Sequence, residues 1–71
     1  MQSSTMTYKA LRNTSGEWIA IFDEFGPSEI LTTGIPELMS EETTIEDLKQ
    51  FYDQLDFTGI ELVTLEITVK S

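Results

Sequence analysis

From Met6 the chain alternates: Met6, Tyr8 and Ala10 fall on one side of an extended backbone, and Thr7, Lys9 and Leu11 on the other. A period of two predicts a β-strand. Asn13-Thr14-Ser15-Gly16 follows as a turn cluster, with Gly16 free to take a positive φ. Glu17 to Asp23 is rich in aromatic and β-branched residues and predicts a second strand, antiparallel to the first. Both sides of it are apolar: Trp18, Ala20 and Phe22 against Ile19 and Ile21. Such a strand is buried on both faces or offers one face to a partner. Trp18 is therefore either the anchor of the core or, if Ile19 and Ile21 take the core side, half of an exposed pair with Phe22.

Asp23 to Ser28 reads as a loop, broken by Gly26-Pro27, and Glu29 to Thr33 is a short candidate for a third strand. Gly34-Ile35-Pro36 interrupts it, and Glu37 to Thr43 is an acidic connection with room for one helical turn. A helix is predicted over residues 45–55. Ile45, Leu48, Phe51, Tyr52 and Leu55 form one apolar stripe. Thr43 with Glu46, or Thr44 with Asp47, has the spacing of a capping box. Gly59 is the stop signal, and Ile60 to Val69 predicts a long last strand, with Val63, Leu65, Ile67 and Val69 toward the core and Leu62, Thr64, Glu66 and Thr68 away from it. The expected fold is α+β in two layers, β-β-(β)-α-β, with one helix on a three- or four-stranded, mostly antiparallel sheet. Because the last strand follows a helix, it is expected parallel to one neighbour and antiparallel to another. Residues 1–5 read as a disordered polar tail and residues 6–71 as a single domain.

Composition narrows the chemistry. The chain has 71 residues, neither Cys nor His, and 39% apolar residues, enough for one thin core without a staple. A thiol nucleophile, an imidazole base and Cys/His zinc sites are excluded. The four glycines are scattered singly, so neither the phosphate-binding loop nor the dinucleotide fingerprint is present. Carboxylate pairs occur at Asp23-Glu24, Glu41-Glu42 and Glu46-Asp47, but paired acids act on glycosides only across a supported cleft. Neither Asp23-Glu24 with Gly26 nor Asp53 with Asp56 follows the calcium-loop pattern. The reading is that the protein is not an enzyme and needs no cofactor or metal. Phe25 and Phe57, both in loops beside acids, are lids on the core or contact residues.

Charge adds the one unusual feature. Four bases stand against 13 acids, a net charge of −9. Nine of the acids and none of the bases lie between Glu17 and Leu48. Such a field repels nucleic acid and anionic membranes and attracts basic surfaces. No basic-plus-apolar leader opens the sequence and no apolar run spans a bilayer, which sets the expectation of a cytoplasmic protein. The expected function is a small acidic protein-binding module, an accessory or regulatory subunit whose partner is another protein with a basic surface. Direct nucleic-acid or membrane binding is not expected, and the oligomeric state is open. The candidate partner-binding residues are Glu37, Glu41, Glu42, Glu46 and Asp47, taken as one exposed face. The sheet face around Ile19, Ile21, Leu62 and Thr64, expected to be uncovered, is the alternative surface. Two other readings remain: a phage or mobile-element inhibitor that mimics nucleic acid with its carboxylates, and a structural subunit of a larger assembly.

Tyr8-Lys9-Ala10-Leu11 with Gly16-Glu17-Trp18-Ile19-Ala20 resembles the opening hairpin of the HicB-type antitoxin domain, and Thr44-Ile45-Glu46-Asp47-Leu48 is similar to the start of that family's helix. The resemblance is confined to these stretches, departs at residues 34–43, and includes no DNA-binding extension. It implies a β-β-β-α-β order and adds nothing on function.

Overall fold

A computed structural model describes residues 2–24 and 26–70. Its elements run β1 (Ser3–Asn13), β2 (Trp18–Phe22), β3 (Glu29–Thr33), β4 (Met39–Ser40), α1 (Ile45–Phe51) and β5 (Ile60–Lys70). Among the described residues the fold is α+β, with one short helix and a five-stranded sheet in which every pairing is antiparallel.

β1 organises the sheet. Along one edge it pairs with β5 over its whole length, from Ser3 opposite Lys70 to Asn13 opposite Ile60. Along the other edge two strands share it in line: β2 at Leu11 and Arg12, then β4 at Tyr8 and Lys9. Met39 of β4 takes the place opposite Lys9 that Ile21 would hold if β2 ran on. β2 leaves β1 after Ile19 and continues with β3, pairing from Trp18 opposite Thr33 to Phe22 opposite Glu29.

β5 has no parallel neighbour, contrary to the expectation from sequence. After the helix it lies against the vacant edge of β1, where an antiparallel run pairs all eleven of its residues. β1 also begins at Ser3, inside the segment read as a tail, because Ser3, Ser4 and Thr5 face Lys70, Val69 and Thr68. Beyond Tyr8 only β1 and β5 continue, as a two-stranded ribbon. The ribbon lengthens the molecule to 47 × 26 × 23 Å, with a radius of gyration of 13.7 Å. A compact chain of this length would have about 11 Å.

The turns follow their sequence signals. Asn13 Oδ1 accepts from the backbone N–H of Ser15 and Glu17, at 3.0 and 2.9 Å, and Gly16 has φ +82°. Thr44, not Thr43, caps the helix: its hydroxyl oxygen accepts from Asp47 N–H at 3.1 Å. The helix ends at Phe51 rather than at 55, and Tyr52 N–H closes the last turn onto Leu48 O at 2.9 Å. Phe51 is 77% exposed, so it does not belong to the core stripe.

The core is small. Leu11, Ile19 and Phe57 form its buried centre, and Ile21, Ile30, Met39, Ile45, Leu48, Tyr52, Leu55, Ile60 and Leu62 pack around it. Phe57 is thus a lid on the core. Alternation fixes the rest. Leu11 stands opposite Leu62 and Ile19, so these residues and Ile60 share the face that the helix covers. Val63, Leu65, Ile67 and Val69 point to the other face, which corrects the sequence expectation. Both faces of β5 are apolar, and the helix with Phe57 lands on the shorter apolar row.

Candidate functional site

Two surfaces of opposite character result. The first carries the acids. Ser40 turns the chain into the helix: its Oγ accepts from Glu42 N–H at 3.2 Å and its carbonyl from Thr43 N–H at 3.0 Å. The turn brings Glu41 and Glu42 just ahead of the first helical turn, where Glu46 and Asp47 sit. All four are exposed. They also favour the positive end of the helix dipole.

Glu37, also exposed, belongs elsewhere. It precedes β4 and acts, with Asp23, on the Tyr52 hydroxyl at the opposite end of the helix. That hydroxyl donates a long hydrogen bond to Asp23 Oδ2 at 3.4 Å. Its pKa is raised above 10.0, first by burial, then by the charge and hydrogen bond of Asp23, then by Glu37. Four of the five candidate residues thus gather at the helix start, and Glu37, which precedes β4, stands apart from them.

Between the helix start and β5 runs an open groove of about 440 Å³, with Lys9 and Lys49 among its lining residues. Two of the four bases therefore stand on the helix side. Neither is paired: among the described residues the one ion pair is Arg12 Nη2 to Glu61 Oε1, at 3.1 Å between exposed groups. Asp56, in the loop before β5, accepts from Thr58 N–H at 2.9 Å, and its pKa is lowered by its hydrogen bonds to Thr58. Among the described residues no group of three or more acids is placed to hold a metal ion.

The second surface is the sheet face away from the helix. Register builds it in rows. Trp18, Arg12 and Glu61 cross one end, where the Arg12 guanidinium also lies 6.0 Å from the centre of the Trp18 ring. Ala10 and Val63 come next, then Tyr8 and Leu65, then Met6 and Ile67, then Ser4 and Val69 on the ribbon. Ala20, Phe22 and Leu31 continue the face onto β2 and β3. Ala10 is fully buried among larger neighbours, whereas Met6, Phe22, Leu31 and Val69 are 42, 38, 41 and 50% exposed. The Tyr8 hydroxyl donates to the Met6 thioether at 3.3 Å, a weak acceptor on a surface that offers little else.

The uncovered face is therefore not the one named from sequence. Ile19 is buried, Ile21 and Leu62 pack on the core beneath the helix, and Thr64 lies on the same side, opposite Lys9. Trp18 is half-buried outside the core, on the same face of β2 as exposed Phe22. Phe25 lies outside the described residues. No helix among the described residues is long and apolar enough to cross a membrane. Compared with protein-family models, with curated proteins and with solved structures, the chain matches none, and the likeness of its hairpin and helix start to the HicB-type domain carries no family assignment.

Proposed function

We propose that this protein is a non-catalytic protein-binding module that steers a basic partner onto the acidic turn before α1. The observation that carries the reading is the arrangement of Glu41, Glu42, Glu46 and Asp47: four exposed acids within seven residues of chain, with no base paired to any of them among the described residues. At physiological salt, charges act together only within a screening length of about 8 Å, so crowding at one turn matters more than the total charge. Glu37, at the far end of the helix, adds to the general field rather than to the docking turn.

The test is a binding-rate series. A partner captured from the native host is measured over increasing salt against wild type and against the combined Glu41→Gln, Glu42→Gln and Glu46→Gln variant. Asp47 is left in place because it occupies the third helical position behind the Thr44 cap. Steering predicts an association rate that falls with salt and in the variant, with dissociation nearly unchanged. A salt-independent association rate, or a variant that associates like wild type, would refute the reading.

A further inference from the structure

We infer that the open sheet face is a self-association surface, on which a second copy of this chain packs sheet to sheet across a two-fold axis near Tyr8 and Leu65. The inference is independent of the acidic turn, which lies by the helix start.

The size of the face suits a second copy. Eleven residues at about 3.3 Å make β1 and β5 roughly 35 Å long. Three strand positions at about 4.8 Å, with the outer part of the β2–β3 hairpin, give a flat footprint on the order of 600 Å². Two copies would cover about 1,200 Å² or more once side-chain relief is counted, which reaches the range of specific interfaces. Packing aligned faces about 10 Å apart is the ordinary geometry of a β-sandwich.

The charge on the face selects the occupant. Across this face Arg12 and Glu61 neutralise each other, and among the described residues Glu29, opposite Phe22 at the far rim, is the one unpaired acid. A basic partner finds nothing there to attract it. A second copy finds a surface that is apolar inside its rim, with Glu29 kept at the margin, which is what an isologous contact needs, because each patch must suit itself. The bulk of the −9 charge lies on the loops, the helix side and the sheet edges.

The ribbon points the same way. A two-stranded ribbon is marginal in water by itself. Here residues 3–7 and 66–70 extend past the helix with Met6 and Val69 open to solvent. A second sheet laid on that face supplies the missing layer.

The test is the mass of the intact chain in solution, by sedimentation equilibrium from micromolar to millimolar concentration. Wild type should sediment at twice 8.1 kDa. Val69→Glu and Leu31→Glu, both at positions exposed in the single copy, should each weaken the dimer by at least about tenfold. Thr68→Glu, on the opposite face of the same strand, should leave it intact. Trp18 emission should shift to the red as wild type is diluted, because Trp18 lies at the end of the buried patch. A wild type that stays at 8.1 kDa throughout overturns the inference. So does a dimer that survives both glutamate substitutions while far-ultraviolet circular dichroism shows the fold retained.

Discussion

Leu11 occupies the place where the molecule's layers meet. It stands opposite Ile19 on one side and Leu62 on the other, and it is completely buried beneath the helix side of the sheet. Leu48 reaches the same core from the helix but is only half-buried. Truncation costs the transfer free energy of the lost methyl groups plus a cavity term, in all about 2–5 kcal/mol for buried leucines. Leu11→Ala should fall at the upper end and Leu48→Ala at the lower, measured by urea denaturation. Domains of this size have only a few kcal/mol to lose, so Leu11→Ala is expected to be largely unfolded at room temperature. A Leu48→Ala variant less stable than Leu11→Ala would move the centre of the core to the helix. The importance of Leu11 was not legible in the sequence: it shares alternation with Lys9 and Thr7, and its side of β1 reads as the more polar one.

Among the elements, the helix was the easiest to anticipate and the hardest to delimit. Its start is written locally, in Thr44 and the acids that follow, because a cap needs only the next three residues. Its end is not. Leu55 continues the apolar stripe, but the chain leaves the helix at Tyr52, whose hydroxyl reaches Asp23 at the end of β2. Seven residues do not hold a helix in water, so α1 depends on its cap and on Ile45 and Leu48. Thr44→Ala should cost about 1 kcal/mol of global stability, and Thr43→Ala less than about 0.5 kcal/mol, since the Thr43 hydroxyl caps nothing. Equal losses would show that the two threonines share the cap. β4 left no local trace, because two residues become a strand only through pairing with Tyr8 and Lys9.

At the scale of the molecule, the sequence showed β2 to be apolar on both sides and read β5 as facing the core with its longer apolar row, but it did not show which side a single helix would cover. Val63, Leu65, Ile67 and Val69 outnumber Ile60 and Leu62, and a count of apolar positions favours the wrong face. What decides is where the helix and Phe57 come down after the turn at Ser40, a long-range outcome that no window of sequence contains. The gathering of Glu41, Glu42, Glu46 and Asp47 at the helix start was legible, because the four are neighbours in the chain; the separate place of Glu37 was not.

The pairing of β1 with β5 sets the order in which this chain can fold. Its two longest strands lie at opposite ends of the sequence, and Ser3 meets Lys70 across nearly the whole chain. During synthesis β1 emerges well before β5, the partner it waits for. Until then only the β2–β3 hairpin and the short junction of β1 with β2 are within local reach. The entropy of closing so large a loop is lost before the contacts that compensate it form, so contact order is high for an 8.1 kDa protein. Refolding followed by Trp18 fluorescence in a stopped-flow mixer should proceed in milliseconds to seconds, not in the microseconds typical of small helical bundles. In that interval the open strand edges and apolar faces of β1 and β2 are exposed to other nascent chains, and the acids that flank β2, Glu17, Asp23 and Glu24, help keep the waiting chain apart from its neighbours.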